Sequence, residues 1–395
     1  VLGATLTIEG VYYSWVTRNS NAASADGLYP FFTCSRETFR TDTYSFDTEA
    51  VLLAGNNAIG VYPLKYFKGK FDAYQRTYVI TTLDPDTITN RFLYYVLQPQ
   101  LERLQTLSTG AATKFLTLTI LKSLEVSIPP LHEQQRVTSI LSAYDDLIEN
   151  NTRRIEILEE MARRLYEEWF VHFRFPGHEE VSFKESELGE IPEGWEVRYL
   201  DDLMGFQGGA QPPKSEWIET ESDGYIRMIQ IRDYASDAYV AYVKDTSKLR
   251  KCEPLDIMIA RYGASVGRIC WGLRGAYNVA LVKVQPKEPY LREFLRSTLS
   301  EKTTQDLLIG MSGRTAQAGF NKSILKSISV AVPCDSVTLE NFESFVLPIR
   351  TQILALRAKA TNLRAQRDLL LPKLVSGEID VSEIPMPDDK EVEAA

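Results

Sequence analysis

The chain has 395 residues, and its hydrophobic share of 44% is enough to bury the cores of two domains of ordinary size. No stretch approaches the roughly eighteen consecutive apolar residues of a membrane span, and the first residues lack the basic-then-apolar layout of a secretory signal. The four cysteines, Cys34, Cys252, Cys270 and Cys334, have no C-x-x-C spacing, which favours neither a zinc site nor a disulfide framework. We expect a folded, multidomain, cytoplasmic protein with reduced and mostly buried thiols.

The net charge of -9 argues against a nucleic-acid binder, because affinity for phosphate backbones comes from lysine and arginine. The acidity is concentrated at one end: after Gly377 the chain has seven carboxylates against Lys390 alone, so these residues supply -6 of the -9. The carboxylates are Glu378, Asp380, Glu383, Asp388, Asp389, Glu391 and Glu393. We expect residues 378–395 to form a solvated, flexible acidic tail. The charge of the remaining body therefore excludes no class of partner.

The chain contains a long-range internal repeat. Residues 120–130 read ILKSLEVSIPP and residues 324–334 read ILKSISVAVPC, at an offset of 204. Two upstream pairs keep nearly the same spacing: residues 58–60 match 265–267 at an offset of 207, and residues 73–75 match 276–278 at an offset of 203. Ordered matches at one spacing indicate two copies of a unit of about 200 residues.

Each copy begins with a globule of strands and turns and ends in a long helix. The strand runs, such as Gln75 to Thr82 and Ala280 to Val284, are rich in Tyr, Val, Ile and Thr and are broken by Gly, Asn and Pro. The first helix is predicted from about His132 to Phe173, which is roughly 60 Å at 1.5 Å per residue. Apolar residues recur there at three- and four-residue steps, and again from Phe342 to Leu374, so each helix needs a partner.

The two helices are expected to pack on each other as an antiparallel coiled coil with one globule at each end. This predicts an α+β fold with a pseudo-two-fold internal repeat, in which two mixed α/β domains are separated by two long helices. The predicted divisions are a globule at 1–130, a helix at 131–175, a globule at 176–336, a helix at 337–377 and the acidic tail at 378–395.

The boundary between the copies is marked by turn residues. Phe175-Pro176-Gly177 should end the first helix, because proline removes a helix donor and glycine favours a C-terminal cap. The run from Gly189 to Trp195 is turn-rich and ends in an aromatic residue that should dock on the second globule. Since Leu2 occupies about the position of Leu200, we expect a few residues of the natural unit to precede this sequence.

Several motifs lie at the junctions between globules and helices. They are Pro129-Pro130-Leu131-His132-Glu133-Gln134, Met161 to Leu165, Trp169-Phe170-Val171-His172-Phe173, Ile191-Pro192-Glu193-Gly194-Trp195 and the run from Arg367 to Ile379. Together they resemble the specificity subunit of a type I restriction-modification system. The resemblance extends over the whole chain in layout. The second copy departs from it after Pro333, where no Glu-Gln pair follows, so the two long helices need not meet a partner identically.

The resemblance implies two target-recognition domains that read the halves of a bipartite, asymmetric target in double-stranded DNA, with the coiled coil fixing their separation. It implies two methyltransferase subunits and motor-endonuclease subunits as partners, and no membrane. S-adenosylmethionine, ATP and Mg²⁺ are then expected on the partners, with no cofactor or metal on this chain. Partner contacts are expected at Glu133, Gln134, Trp169, Phe170, Leu370 and Leu374. Favourable interaction of Glu133 with the helix dipole is a simpler explanation that stays open.

No catalytic constellation is visible in the sequence. Asp84-Pro85-Asp86-Thr87 lacks the second proline and the aromatic residue of an adenine-methyltransferase loop and is predicted as a turn. Gly205 to Gly209 precedes Ala210-Gln211-Pro212-Pro213 instead of a helix, so we predict a surface loop and not an S-adenosylmethionine site. No phosphate-binding G-x-x-x-x-G-K-[ST] motif occurs, and the nuclease-like triplet Asp388-Asp389-Lys390 lies in the acidic tail. These features predict a non-catalytic protein.

Base reading needs side chains that match the edges of bases, and Arg, Asn and Gln form the bidentate contacts to guanine and adenine. Such side chains cluster with lysines and aromatics at corresponding places in the two globules. The predicted DNA-binding residues are Lys65, Lys68, Lys70, Tyr74, Gln75 and Arg76 in the first globule, and Arg261, Tyr262, Ser265, Arg268, Arg274, Asn278, Arg314 and Gln317 in the second. For Lys68, Lys70 and Arg274, an ordinary solvated hairpin position stays an open alternative.

The sequence therefore predicts a DNA sequence-recognition subunit. Two alternatives from other classes stay open. One is a stand-alone DNA methyltransferase or nuclease with an unrecognised site, and the other is a coiled-coil adaptor that binds no DNA.

Overall fold

The computed structural model describes residues 4–7, 11–14, 23–58, 60–110, 113–312 and 327–384. The chain divides into two compact units: unit 1 is Val1–Asn150 with Ala360–Ala395, and unit 2 is Asn151–Lys359. Both divisions fall inside long helices, whereas the sequence predicts domain boundaries at the helix ends. The predicted site residues Arg314 and Gln317, and the acidic tail from residue 385, lie outside the described residues. None of the described helices has the length and apolar character of a membrane span.

In its described residues, unit 1 has ten strands and three short α-helices ahead of the first long helix. The strands are β1 (Ala4–Thr7), β2 (Val11–Ser14), β3 (Tyr29–Phe32), β4 (Thr38–Thr41), β5 (Phe46–Ala54), β6 (Asn56–Asn57), β7 (Leu64–Ala73), β8 (Thr77–Thr82), β9 (Lys114–Phe115) and β10 (Glu125–Ile128). The helices are α1 (Asn90–Leu97), α2 (Leu101–Leu107) and α3 (Leu118–Lys122). A mixed sheet of six strands in the order β2-β8-β5-β7-β3-β4 forms the framework of the unit.

The central strand β5 contributes buried side chains to both faces of this sheet. Val51 and Leu53 belong to the main core, which also contains Phe92 and Leu93 of α1. Successive side chains of a strand point to opposite faces. Leu52 accordingly belongs to a second, smaller cluster on the other face, so the sheet is apolar on both sides near its centre.

The described part of unit 2 has twelve strands and three α-helices ahead of the second long helix. The strands are β11 (Phe183–Ser186), β12 (Gly189–Pro192), β13 (Trp195–Tyr199), β14 (Met204–Gly208), β15 (Tyr225–Ile229), β16 (Tyr242–Lys244), β17 (Lys251–Cys252), β18 (Met258–Ala260), β19 (Ile269–Cys270), β20 (Gly275–Tyr277), β21 (Leu281–Pro286) and β22 (Ser329–Pro333). The helices are α5 (Leu200–Leu203), α6 (Arg292–Ser300) and α7 (Lys302–Ser312). Two four-stranded sheets, in the orders β14-β21-β18-β19 and β16-β15-β20-β17, form its framework.

The prediction of a surface loop at Gly205 to Gly209 is wrong. Residues up to Gly208 form strand β14, which pairs antiparallel with β21 from Met204↔Pro286 to Gly208↔Val282. Met204 and Phe206 are two residues apart, so both side chains point into the core and hold the strand in place. The glycines hid this alternation in the sequence, because they carry no side chain to report which face is buried.

The two long helices are α4 (Leu131–Tyr166), which continues as a π-helical turn over Glu167–Val171, and α8 (Val337–Val375). The first helix ends at Val171, two residues from its predicted end near Phe173 and ahead of Pro176. Phe173 adopts a left-handed conformation with φ of 56°, and its ring packs 5.3 Å from that of Trp195. Trp195 is buried in the core of unit 2, as the sequence predicts. The aromatic contacts end the helix earlier than the proline requires.

The long helices pack antiparallel within each unit. In unit 1 Val137 and Leu141, near the start of α4, share a core with Leu371 and Leu374, near the end of α8. An ion pair of 2.8 Å joins Arg367 Nη1 to one oxygen of Asp145 on α4. Each helix thus contributes apolar side chains to the core of unit 1.

In unit 2 the opposite ends of the same helices are paired. Trp169 lies 5.8 Å from the ring of Phe342, near the start of α8. Further along, Arg357 Nη2 lies 2.6 Å from Glu159 Oε1. Because residues later in α4 contact residues earlier in α8, the pairing is antiparallel here as well. The predicted antiparallel packing of the helices is therefore present in both units.

Equivalent positions of the two helices are 205 residues apart. Six pairs of buried residues match at this spacing: Val137, Leu141, Ile148, Tyr166, Trp169 and Phe170 of the first long helix and its π-helical turn correspond to Phe342, Val346, Ile353, Leu371, Leu374 and Val375 of α8. The short helices α1 and α6 correspond likewise, since Phe92-Leu93 and Phe294-Leu295 are all buried. The internal repeat of the sequence is therefore also a repeat of buried positions in the structure.

One charged contact in this repeated packing is inverted between the units. In unit 1, Arg91 of α1 lies 3.8 Å from Asp145 of α4. The equivalent positions in unit 2 are Glu293 of α6 and Arg350 of α8, and their side chains approach to 3.1 Å. Each unit therefore contacts its own long helix through an ion pair, with the positive and negative partners exchanged.

Glu293 is at the centre of a buried ion network in unit 2. Its Oε2 atom accepts hydrogen bonds from Arg296 Nε at 2.9 Å and from Arg350 Nε at 3.1 Å. Burial alone would raise the pKa of Glu293, but the two guanidinium groups outweigh it and hold the pKa below its ordinary value of 4.5. Arg296, Arg350 and Arg357 also lie over the ring of Trp271, at 5.0, 5.3 and 4.5 Å. The network ties α6, α8 and the residue after β19 together.

Substitution Glu293→Gln should lower the free energy of unfolding by roughly 3–5 kcal/mol near neutral pH, because two arginines would be buried without their counter-charge. The folded-state pKa of Glu293 lies below the unfolded value, so its contribution is complete above about pH 4.5 and is lost as the pH falls through the folded pKa. Urea denaturation of both proteins across this range should show a difference that shrinks in acid.

The matched control is Glu168→Gln, which removes a carboxylate from an exposed pair with Arg174. This change should leave the urea midpoint unchanged, because exposed ion pairs contribute little. A wild-type advantage over Glu293→Gln that stayed constant from neutral to acidic pH would contradict the assignment of that stability to the ionised carboxylate.

Candidate nucleic-acid interface

In unit 1 the predicted basic cluster lies on strand β7 and the turn that follows it. Lys65 is engaged within the unit: its Nζ donates to the carbonyl oxygen of Glu37 at 2.7 Å and lies 5.7 Å from the Phe32 ring. Burial lowers the pKa of Lys65. This lysine therefore contributes to the fold of unit 1 more than to its exposed surface.

Two further lysines of β7 face solvent. Lys68 and Lys70 are two residues apart, which places them on the same face of the strand. The Lys68 side chain is 75% exposed and lies 3.8 Å from Glu49, and Lys70 Nζ lies 4.7 Å from the Tyr44 ring. The hydrogen bond to Tyr44 raises the pKa of Lys70. Both ammonium groups are accessible to a ligand and positively charged.

The turn between β7 and β8 carries the other predicted residues of unit 1. Tyr74 closes it, because its carbonyl oxygen accepts from the N–H of Thr77 at 2.8 Å. Gln75 and Arg76 are exposed, and the Arg76 guanidinium lies 5.4 Å from the Phe115 ring. The turn therefore presents an amide and a stacked guanidinium next to the end of the lysine-bearing strand.

In unit 2 the turn between β18 and β19 carries four of the predicted residues. Tyr262 and Arg268 are exposed, Ser265 is half-buried, and the Arg261 guanidinium lies 5.1 Å from the Tyr262 ring. The turn is anchored on α7, because Gln305 Nε2 donates to the carbonyl oxygen of Gly267 at 3.0 Å. A rigid, polar turn of this kind can present side chains to a groove of DNA.

Two more predicted residues of unit 2 lie in the described part of the chain, Arg274 and Asn278, and they differ in their surroundings. Arg274 is 73% exposed and forms an ion pair of 2.8 Å with Glu253. Asn278 is mostly buried, and its Oδ1 accepts from the N–H of Ala280 at 3.1 Å. Asn278 thus shapes the backbone after β20, whereas Arg274 offers a charge at the surface.

The polar segments of unit 2 converge where two parallel strands end. Strands β15 and β20 pair in register at Ile229↔Tyr277, and the N–H of Asn278 donates to the carbonyl oxygen of Ile229 at 3.1 Å. Gln230 therefore follows its strand beside Asn278. The N–H of Arg261 donates to the carbonyl oxygen of Ala280 at 2.8 Å, which brings the β18–β19 turn to the same edge.

This edge leads into a groove that sequence reasoning missed. The groove has a volume of about 830 Å³, and its lining includes Gln211, Trp217, Gln230, Arg232 and Tyr239. Aromatic, amide and guanidinium groups are the types that contact bases. The residues are spread over thirty positions without a motif, so only the fold brings them together. The sequence indicated this groove only through the high density of aromatic and arginine residues after Gly209.

The chain is similar over most of its length to a known family of proteins. The family model described as "Type I restriction modification DNA specificity domain" matches it twice, over residues 7–160 and 192–345, which together are well over half of its length. The chain belongs to this specificity family. Recognition of the DNA target is the function of the family, whose members are non-catalytic components of restriction-modification complexes.

Relatives and a solved structure agree with this membership. The MjaIX specificity subunit of Methanocaldococcus jannaschii is 27% identical over 326 residues, which cover 76% of this chain and 71% of that protein. The EcoDI specificity subunit of Escherichia coli is 29% identical over 214 residues, covering 49% of this chain and 47% of that protein. The crystal structure of a type I S subunit from M. genitalium has the same fold, with a TM-score of 0.65, 17% identity, and coverage of 94% and 96% of the two chains.

The residues predicted to contact partner subunits are mostly internal in this specificity chain. Gln134 is fully buried, and its Nε2 donates to the carbonyl oxygens of Thr87 and Pro129 at 2.7 and 2.9 Å. Trp169, Phe170 and Leu374 are buried in the cores of their units. Glu133 and Leu370 are half-buried and retain exposed surface. The buried four stabilise the fold in this conformation, and their contact with a partner subunit stays a prediction.

Within the described ranges, no group of three His, Cys, Asp or Glu residues is placed to hold a metal ion. Cys252 and Cys270 are buried, Cys34 is half-buried and Cys334 is exposed, all four as free thiols. Burial raises the pKa of Cys252 to about 12 and that of Cys270 to about 11, so neither is a ready nucleophile. The segment Asp84 to Thr87 is a turn, closed by a 2.6 Å hydrogen bond between these two side chains.

Gly209 lies close to the backbone at the end of β20, so a side chain at this position should destabilise the fold. A Cβ at Gly209 would lie 2.6 Å from the carbonyl oxygen of Tyr277 and closer still to that of Asn278. Gly209→Ala should therefore cost at least about 1–3 kcal/mol of stability, because backbone must move to relieve the overlap. Gly208→Ala is the matched control, since a Cβ there meets nothing within 4 Å. Urea midpoints of the two variants should differ clearly, and equal midpoints would contradict the close approach.

Proposed function

We propose that this chain is the DNA sequence-recognition subunit of a type I restriction-modification complex, and that it reads a bipartite, asymmetric target. The observation that carries the proposal is the duplication of a whole specificity domain, each copy ending in a long helix. Two recognition units in one chain suit a target with two half-sites, in which each unit contacts one half through the major groove.

The asymmetry of the target is supported by the difference between the two polar surfaces. Unit 1 presents Lys68 and Lys70 on a strand with Arg76 in the following turn. Unit 2 presents Arg268 and Tyr262 in an anchored turn beside a groove that contains Arg232. Base discrimination depends on the amide, guanidinium and aromatic groups of these surfaces, which are Gln75 and Arg76 in unit 1 and Tyr262 and Arg232 in unit 2. Because these groups differ in identity and placement, the two units should select different bases.

The acidic composition is compatible with DNA binding when the location of the charges is considered. The last eighteen residues carry -6 of the net -9, and several basic residues of the body are already paired with carboxylates. Affinity for the phosphate backbone depends on the cations that face it and not on the total charge. The exposed Lys68, Lys70 and Arg268 are the residues that we assign to phosphate contact.

The partners and cofactors belong to the same proposal. Two methyltransferase subunits would dock on the exposed surfaces of the helical region, and motor-endonuclease subunits would join for restriction. S-adenosylmethionine, ATP and Mg²⁺ would be bound by those subunits. The paired helices would act as a ruler that sets the distance between the half-sites.

The decisive experiment maps methylated adenines across the genome of cells with and without this subunit, in the presence of its methyltransferase. We expect deletion of the subunit to abolish methylation at one bipartite motif and to leave other motifs unchanged. An unchanged methylation map would contradict the proposal. Methylation or cleavage of DNA by the purified chain alone would support the enzyme alternative instead.

Variants separate DNA reading from an adaptor role. The combined change Lys68→Ala, Lys70→Ala and Arg268→Ala should weaken binding to all sequences, and each lost phosphate contact should reduce the dependence of log affinity on log salt by about one. Lys359→Ala, an exposed lysine on α8, is the control and should leave binding unchanged. A coiled-coil adaptor predicts that none of these changes alters any assay.

Insertion of one heptad into each long helix tests the ruler. The insertions belong between Asn151 and Glu159 of α4 and between Arg357 and Arg367 of α8, so that they lie between the two ion pairs. Seven residues add roughly 10 Å, or about three base pairs, to the spacer. Methylation mapping should then show the same half-sites separated by a longer spacer. Altered half-sites would contradict the role of the helices as a ruler.

A further inference from the structure

Arg232 lies at the groove of unit 2, beside Tyr239 and Asp233. Its Cζ lies 4.8 Å from the ring centroid of Tyr239, and its Nε lies 4.0 Å from Asp233 Oδ1. The Arg232 side chain is 54% exposed, and among the described residues its guanidinium donates no hydrogen bond. A guanidinium stacked in this way keeps its outer N–H groups in a plane and free to meet a ligand.

The turn that carries Arg232 is fixed from both ends. The side chain of Gln230 accepts from the backbone N–H of Asp233, and Asp233 Oδ2 accepts from the backbone N–H of Gln230 at 2.8 Å. This reciprocal cap locks the 3₁₀ turn Ile231–Tyr234 onto the end of β15. Since the backbone and the stacking partner are already in place, little ordering is needed when a ligand binds.

The charges of the groove favour the edge of a base over a phosphate group. Lys214, Arg227 and Arg232 are matched in number by Glu219, Asp237 and the buried Asp233, and Asp237 is paired with Arg227 at 2.6 Å. A surface that binds the phosphate backbone needs an excess of positive charge, which is missing here. The amide of Gln211 and the guanidinium of Arg232 match the donor and acceptor pattern of a base pair instead.

We propose that this groove reads base identity in one half of the target, and that Arg232 recognises a guanine by donating to its O6 and N7 atoms. This assignment rests on the proposed DNA-reading function. The bidentate contact of arginine with guanine is the commonest specific contact between proteins and DNA. Gln230, Asp233 and Tyr239 are positioning residues, which hold the guanidinium without touching the base.

The test uses the full chain with its methyltransferase and maps methylated adenines for four proteins. They are the wild type, Arg232→Lys, Tyr239→Leu and Arg198→Lys. Lysine keeps the charge but lacks the planar fork, so Arg232→Lys separates base reading from phosphate contact. Arg198→Lys is the matched control, because Arg198 lies on β13 outside the groove.

We expect the wild-type motif to contain a guanine that Arg232→Lys no longer requires. Discrimination at that position should fall roughly tenfold to a hundredfold, which corresponds to one lost bidentate contact. The other half-site should stay as it is. Tyr239→Leu should weaken discrimination at the same position, and Arg198→Lys should give the wild-type motif.

Two results would overturn the assignment. An unchanged motif with Arg232→Lys, or a uniform loss of methylation at all sites, would show that Arg232 does not read a base. A wild-type chain that yields no bipartite motif would overturn the proposed function itself, and the guanine contact with it. Urea midpoints of the variants, which should equal that of the wild type because both side chains are exposed, keep a folding defect from being mistaken for either result.

Discussion

The apolar stripe along each long helix is the constraint on which the rest of the fold depends. Neither helix can bury its stripe alone, and each unit takes one half of its helical core from each repeat. In unit 1, Leu371 and Leu374 of the second repeat complete the core built around Phe92. In unit 2, Trp169 and Phe170 of the first repeat do the same around Phe294. Folding of either recognition unit therefore requires residues from both repeats.

This constraint explains why motifs that resemble partner-binding sequences are buried. Trp169 and Phe170 lie beyond the end of α4 in the core of unit 2, where their rings pack in tilted and edge-on contacts with Phe294, Phe342 and Trp195. Gln134 satisfies backbone carbonyls around the start of α4. Such residues recur in a family when the architecture recurs, whether or not they touch another subunit. The surface open to a partner is the polar side of the helices.

Features that depend on periodicity could be predicted from the sequence, and features that depend on close approach could not. The repeat, the two helices and the docking of Trp195 followed from apolar spacing and turn residues. Strand β14 was missed because its glycines show no alternation, whereas the end of the first long helix at Val171 lies within two residues of its predicted position. The groove around Arg232 is assembled from residues separated by sheet pairing, which no local pattern encodes.

The inverted ion pair has a consequence for how repeats combine. Position 145 is an aspartate that meets Arg367, but its equivalent in the second repeat is Arg350. In a hybrid made of two copies of the second repeat, Arg350 would take the place of Asp145 and face Arg367. Arg364 would take the place of Glu159 and face Arg357. Like charges at these helix contacts would disfavour that homotypic pairing. Grafting a foreign recognition domain onto this scaffold would succeed best when the graft brings its own docking helix and the matching charge on the long helix.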